Sequence, residues 1–502
     1  MTAAEISAGF EAERRIPEGR GTRLAAMALS VGLSCTGAYA DTTDQLLDQL
    51  KAKGILSHSE YKTLKGRHAA ELKQKERKYV VPGRKVVTKE NVVVAPDDRY
   101  VTRLDKGIGV HIGAVDVKLT GLLSFFAVET FKTQGNADVA GGLSGNSSVN
   151  NTNSIRAGLV PSALVTSIST RQDGYDLGFT LGIYTAGSNV AVGKYNANNG
   201  GTATALGTPG IDVRQVFGTI GSQDFGTVKV GRDIALFAAD AVLNDATIPG
   251  GGTPSGNAAP GNSTLGHIGF GYYYMDWFPQ ITYISPDIDG FTFSVGVFSP
   301  YGLVNYSGLS GTMTGHDQPN IQWKVKYKGA VSDNAELTAW TSGMTQQHRV
   351  EIGDSVALNG SMAPGTNIRS LAVDAGARLD VDAVSLLAYA YYGRGMGSTF
   401  LFFDGISTNG EKRNSFGGYG QATYTFFDRF TIGAAYGISV LQANYGDPTT
   451  LLHSNENIVA LARYKLTDWV GLQGEYVHSI SRNQAGGSIS GDAFVLGTFW
   501  SF

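Results

Sequence analysis

Cysteine is all but missing from this 502-residue chain, which has one, Cys35. Proline is sparse at 14 residues, and charged residues make up only 17%. The longest apolar run, Leu24–Leu33, is about half the length a membrane-crossing helix needs. A single thiol excludes an intrachain disulfide framework and cysteine-rich metal sites. The low charge is not replaced by an apolar surplus, since hydrophobic residues reach 42%. Glycine fills the gap with 67 residues, helped by Ser, Thr and Asn, beside 23 Tyr and 23 Phe. Glycine follows no three-residue period, which excludes collagen, and the aromatic content argues against pervasive disorder. A glycine- and aromatic-rich β protein remains, either soluble or in a membrane that accepts strands.

Residues 1–40 read as an export signal. Arg14, Arg15, Arg20 and Arg23 flank the short apolar core, and Ala38-Tyr39-Ala40 is a small-x-small cleavage pattern that would place the mature start at Asp41. Cys35 falls inside this segment, and Gly32-Leu33-Ser34-Cys35 is a poor lipoprotein box. Beyond the signal the chain divides by charge. Residues 41–106 carry 15 Lys and Arg against 10 Asp and Glu, whereas residues 107–502 carry 21 against 29. Residues 41–78 are helical in pattern: Leu46, Leu47 and Leu50 share a face, Gly54 interrupts, and Ser57-His58-Ser59-Glu60 opens a second helix as a capping box. Tyr61, Leu64, His68 and Leu72 form a seam too short to stand alone, suited either to a coiled coil between copies or to docking on the rest of the chain. Residues 79–106 read as a linker, with Pro82 and Pro96 preventing helix.

From residue 107 onward the period is two. Tyr175, Leu177, Phe179, Leu181 and Ile183 alternate with Asp176, Gly178, Thr180 and Gly182, and Ile321, Trp323, Val325 and Tyr327 alternate with Gln322, Lys324, Lys326 and Lys328. Such strands have one apolar and one wet face, which a soluble sandwich would also show. The connections discriminate between the two. Short gaps at Gln172-Asp173-Gly174, Gly221–Phe225, Pro286–Gly290, Gly329–Asp333, Val381-Asp382, Asp428-Arg429 and Thr467-Asp468 alternate with long gaps rich in Gly, Asn and Ser. About sixteen strands, with turns at one end and loops at the other, describe an all-β transmembrane antiparallel barrel over residues 107–502. Phe494, Leu496, Trp500 and Phe502 share a face of the last strand and read as a membrane-insertion signal. That strand should pair with the first, near Asp116–Phe131, because lipid tolerates no open sheet edge.

Three stretches carry a resemblance to the general porins of Gram-negative bacteria. They are Phe225-Gly226-Thr227-Val228-Lys229-Val230-Gly231-Arg232, then Ile281-Thr282-Tyr283-Ile284-Ser285-Pro286 with Gly290-Phe291, and the final Phe502. Asp44-Gln45-Leu46-Leu47 through Lys53-Gly54-Ile55-Leu56 and Glu60-Tyr61 is similar to the periplasmic helical segment of phosphate-selective and dicarboxylate-type porins. The resemblance implies a homotrimer of sixteen-stranded barrels in the outer membrane, embedded in lipid and lipopolysaccharide and placed there by the barrel-insertion machinery. Such barrels pass small hydrophilic solutes or ions passively and need no cofactor. It also implies that the third extracellular loop folds inward, with its carboxylates facing basic wall residues across the lumen.

The third long gap, about Asp233–Phe278, is the longest and carries Asp233, Asp240 and Asp245. Asp240 and Asp245 are candidates for the loop side of a constriction, the alternative being surface or loop-capping carboxylates. Parity places the basic residues Lys118, Arg214, Lys229, Lys324, Lys326, Arg378, Arg463 and Lys465 on the lumen wall, with the acidic residues Asp116, Asp176, Asp212, Asp374 and Glu475. Strict alternation points Arg232 at lipid, so a bulge at Gly231 is expected to return it to the lumen. Lys324, Lys326 and Lys328 lean the pore towards anions, unless they merely solubilise the wet face.

The eight histidines show no paired ligand spacing, and no nucleophile elbow, phosphate loop or dinucleotide fingerprint occurs. A net charge of −3 gives no case for nucleic acid. Two readings compete with the channel: an outer-membrane barrel enzyme of the phospholipase or protease type, and a secreted β-rich adhesin.

Overall fold

The computed structural model describes residues 61–65, 101–144, 152–185, 211–254 and 263–502. The chain forms two units, Thr22–Asp97 and Met1–Gly21 with Asp98–Phe502. In the first, residues 61–65 are helical, as the capping box predicts, and Lys65 Nζ donates to Tyr61 OH over 2.8 Å. The expected signal peptide, the rest of the helical segment and most of the linker lie outside the described residues.

The second unit is a sheet of nineteen strands among the described residues. In chain order they are β1 (Val101–Arg103), β2 (Ile108–Ile112), β3 (Val115–Gln134), β4 (Thr152–Arg156), β5 (Ser162–Gln172), β6 (Tyr175–Thr185), β7 (Ile211–Ser222), β8 (Gly226–Ile234), β9 (Trp277–Ile284) and β10 (Phe291–Phe298). They continue with β11 (Asn320–Ser332), β12 (Ala335–Arg349), β13 (Asn367–Val381), β14 (Val384–Arg394), β15 (Asn414–Phe426), β16 (Phe430–Leu441), β17 (Leu452–Lys465), β18 (Val470–Asn483) and β19 (Ser488–Ser501). Short β1, β2 and β4 stand beside the ring; β3 and β5 to β19 form a closed antiparallel barrel of sixteen strands. Among the described residues, sheet pairing starts at Val101, inside the stretch read as linker, where β1 and β2 form a small hairpin that pairs with the foot of β3.

Closure follows the expected route. β19 pairs with β3 from Ser490–Gln134 to Ser501–Leu122, and Gly121 and Phe502 exchange two backbone hydrogen bonds of 3.1 Å. The Phe502 ring lies over Gly121 so closely that a Cβ there would sit 2.0 Å from it. The Trp469 ring, 5.4 Å away, completes an aromatic corner at the turn end of the barrel. Phe494, Leu496 and Trp500 are exposed on the outer face, as parity requires.

Alternation sorts the wall as expected. Phe179, Ile321 and Trp323 are exposed outside, while Thr180 and Gln322 are buried inside. Antiparallel neighbours share a face, so one outward residue assigns a whole cross-strand row. The short gaps are turns and the long gaps are loops, as predicted; the loop between β6 and β7 lies outside the described residues. The largest buried apolar cluster includes Phe270, Tyr272 and Tyr273 from the loop after β8, together with Phe400–Phe403 from the loop after β14. Those aromatics let loop segments pack inside the barrel without strands of their own.

Candidate pore constriction

The loop between β8 and β9, residues 235–276, begins at a wall distorted on the neighbouring strand. β6 and β7 slip register between Gly182–Gln215 and Ile183–Val213, leaving Arg214 as an extra residue. This bulge turns Arg214 and Gln215 inward together and restores Val216 to the outside. Arg214 pairs with Asp212 at 3.1 Å and lies 5.3 Å from the Tyr184 ring. Asp233, fully buried, accepts from Lys229 and, at 2.9 Å, from Gln215.

The bulge expected at Gly231 is absent. The ladders to β7 and β9 run through it without a shift, pairing Arg232 with Val216 and Pro279 in an outward row. Gly231 adopts φ 131°, and a Cβ there would lie 2.3 Å from the Val216 carbonyl oxygen. The glycine therefore serves a close strand approach, while the register change sits across the pair at Arg214. Arg232 is corrected from the lumenal wall to the outward row.

Past the strand, Ala239–Leu243 forms a short helix, α1, carrying Asp240. Asp240 is buried and accepts from Lys324 Nζ at 2.7 Å and Lys326 Nζ at 2.6 Å, both from the inner face of β11. Burial pushes this carboxyl up, but the two ammonium groups outweigh it and hold Asp240 below the ordinary carboxylate value. Two cations meet one anion, so the cluster carries one positive charge in excess. The resemblance implies carboxylate and cations facing each other across open lumen; here they touch. Lys328 lies nearer the turn and pairs with Glu336 at 3.2 Å.

Asp245 belongs to the loop itself. It accepts from Thr247 N and Oγ1 at 2.8 Å each, from Tyr272 OH at 2.5 Å, and meets His267 Nδ1 at 3.0 Å. Burial raises this carboxyl; His267 and those donors pull it below its ordinary value. It is a loop-capping carboxylate, the alternative the sequence left open.

Two wall acids also hold the loop. Asp374 accepts from Ala238 N at 3.1 Å, Ser342 Oγ at 2.6 Å and Tyr389 OH at 3.1 Å. Glu475 accepts from Gly251 N at 3.1 Å and Gly252 N at 2.6 Å. Neutral side chains do the same: Gln322 Oε1 takes Leu236 N and Phe237 N, while Gln421 takes Ala246 N and donates to Asn244 O. Arg463 donates to Ala246 O at 2.7 Å and Gln473 at 2.8 Å. The loop is thus stitched along one arc of wall, from β11 through β13, β15 and β17 to β18. Sequence reasoning missed Gln322 and Gln421; their only signal was an amide on the wet face of a strand.

The remaining wall residues lie apart from this cluster. Arg378 pairs with Asp380 at 3.0 Å, Lys465 with Asp468 near the turn at 2.9 Å, and Asp176 meets Arg171 at 3.8 Å. Asp116 pairs with His111 at the foot of the hairpin with β2, and Lys118 makes no ion pair among the described residues. Histidines without local ligand spacing thus acquire carboxylate partners through pairing: His111, His267 and His478 each meet an Asp. No group of three metal-ligating side chains occurs among the described residues.

A profile of the Gram-negative porins matches residues 109–485, three quarters of the chain. The chain belongs to the Gram-negative porin family. It is therefore an outer-membrane channel for small solutes. Among solved structures, the porin is similar to the outer membrane channel DcaP of Acinetobacter baumannii at 15% identity and TM-score 0.55, covering 80% of this chain and 99% of that one. It is also similar to an anion-selective porin from Comamonas acidovorans at 15% identity and TM-score 0.48, covering 77% and 100%. No curated protein matches its sequence.

Proposed function

We propose that this porin is a passive, anion-preferring channel, constricted by the loop after β8 and assembled as a homotrimer. The observation that carries the charge preference is the Lys324–Asp240–Lys326 cluster, in which two part-exposed ammonium groups share one buried carboxylate. A surplus cation at a narrowing attracts anions and repels cations without a binding step. Lys118 adds to the same sign; Arg378, paired with Asp380, adds little.

The trimer rests on the resemblance to general porins. The outward row of Phe494, Leu496, Trp500 and Phe502 supports recognition by the barrel-insertion machinery and contact with outer-membrane lipid and lipopolysaccharide. Export would remove residues 1–40, leaving residues 41–78 as a periplasmic helical segment joined by a linker that gives way to β1 at Val101. Catalysis is not part of this reading. The His267–Asp245 pair, the one deep inside the loop, is fully buried, so no substrate reaches it.

The test is purified protein in a planar bilayer under a KCl gradient. Stepwise conductance in triplets and a reversal potential of anion-selective sign are expected. Silence would defeat the channel, single steps the trimer, and cation selectivity the lysine argument.

A further inference from the structure

Charged side chains on the outer wall of β17 to β19 are paired: Glu456 with Arg482, and Asp492 with His478 and, at 3.6 Å, Lys132. One outward sector departs from this. At the loop end of β13, β14 and β15, Arg369, Arg394 and Lys412 gather without an ion-pair partner among the described residues. Lys412 lies across Gly395, its Cγ and Cδ 3.4 Å from where a Cβ would be, and donates to the Arg369 carbonyl oxygen at 2.9 Å. Its side chain thus reaches from just before β15, past the end of β14, to β13. Burial and the charge of Arg394 lower its affinity for a proton. Among the described residues the Arg369 guanidinium donates to neutral groups, Gln318 at 2.6 Å, Gln347 at 3.1 Å and Thr345 at 3.4 Å. Asp317 accepts from Gln347 at 2.7 Å and faces Arg349 at 3.9 Å.

Beneath the cations the same three strands present a layered apolar surface. Leu371 pairs with Arg394, and the next outward row is Val373, Tyr392 and Phe416. Below it lie two rows of small residues, Ala375–Ala390–Gly418 and Ala377–Ala388–Gly420, and then Leu379, Leu386 and Ala422. Larger outward side chains stand on β10 and β11, for instance Phe293, Val295 and Trp323, while exposed small residues continue beside the sector at Ala434, Ala460 and Ala462. The sector therefore has unneutralised cations at the headgroup level, an aromatic step, and a shallow smooth strip at acyl depth. Small residues let a partner approach the backbone closely, and that partner here need not be protein.

We propose that this face binds an outer-leaflet lipid bearing headgroup phosphates and several acyl chains, which in this membrane is lipopolysaccharide. The idea rests on the lipid-partner reading above and gives it a place and residues. The cations point away from the lumen, so they do not serve solute passage. Phosphate would be held by the two guanidinium groups, which suit paired donation to oxyanions, with the ammonium as a third charge. The chains would lie along the strip.

Thermal unfolding of the detergent-solubilised porin, titrated with bis-phosphorylated lipid A, tests this. Lipid A should raise the midpoint, whereas dephosphorylated lipid A and inorganic phosphate at equal phosphate should not. The R369Q/R394Q/K412Q variant should bind lipid A at least about tenfold more weakly. Ala388→Phe, which fills the strip but keeps every charge, should also weaken it, by a few-fold. Unchanged conductance and selectivity in both variants would show intact barrels and separate this outcome from the fate of the channel reading. Equal lipid A affinity in the triple variant would overturn the site. So would a stabilisation by inorganic phosphate matching that by lipid A, a lost selectivity, or a changed oligomer on native gels, which would assign the cations to free anions, to solutes or to a second copy.

Discussion

The barrel wall and the loop crossing its lumen draw on the same polar residues but obey different rules. On the wall, direction follows from the pleat: a residue's parity decides whether it meets lipid or water, and hydrogen bonding to neighbouring strands is already complete. In the loop after β8, no periodicity exists, and each backbone N–H needs an individual acceptor. Gln322, Asp374, Gln421 and Glu475 supply those acceptors from the wall, and Asp245 supplies them from within. A carboxylate on the wall is thus as often a fastening as a part of the pore field.

The contrast can be broken from the wall side first. Gly231→Ala forces a side chain against the Val216 carbonyl at a φ that L residues avoid, and should destabilise the barrel by about 3 kcal/mol or block its assembly. Loss of the heat-resistant band on unboiled gels would report it, whereas an unaffected band would mean that β7 and β8 separate cheaply. From the loop side, Asp245→Ala strands the Tyr272 hydroxyl and two Thr247 donors, at about 2–3 kcal/mol. The loop should loosen while the wall stays closed, giving noisier and larger single-channel currents with an unchanged barrel melt. A collapse of the whole barrel would show that loop and wall are one cooperative unit.

The place where the two rules meet is Asp240. Replacing Lys324 and Lys326 by Gln removes two cations and leaves a buried carboxylate, which then takes a proton rather than staying charged. The anion preference should fall several-fold, on the order of 1 kcal/mol in the permeability ratio, measured as the reversal potential in a salt gradient. A retained preference would move selectivity to another part of the wall. Acid gives a subtler probe. Both Asp240 and Asp245 have folded values below the unfolded one, so their stabilisation is present above about pH 4 and lost as pH falls through the folded values. Current noise should therefore rise only below about pH 4, and D240N should flatten that rise. The smallest effect belongs to Lys465→Gln, whose ammonium pairs with exposed Asp468 at the turn end; conductance and selectivity should stay within error.

Much of this was legible because a strand's period is local. The alternating stretches at Tyr175–Ile183 and Ile321–Lys328, the turn at Asp173-Gly174 and the final aromatic row each carry their own signal in a few consecutive residues. Parity pointed Arg232 outward correctly, and it was misplaced by the bulge assumed at Gly231: the bulge lies on β7, at Arg214, where the sequence has no glycine to announce it. The wall acids were placed on the correct face but given the wrong occupation. A sequence cannot show that the carboxylate of Asp374 lies within reach of Ala238 N, 136 positions away.

What the sequence determined by itself was therefore the barrel: its alternation, its turns and loops, its closing strand and the inner or outer side of most charges. Those follow from the pleat and from the cost of charge in lipid, which act on each strand separately. Only the tertiary structure decided which charges remain available. Pairing neutralises one lumenal cation through Asp240, seals Asp245 and His267 inside the loop, and leaves Arg369, Arg394 and Lys412 together on the outside. Charge is a property of residues; its surplus is a property of distances.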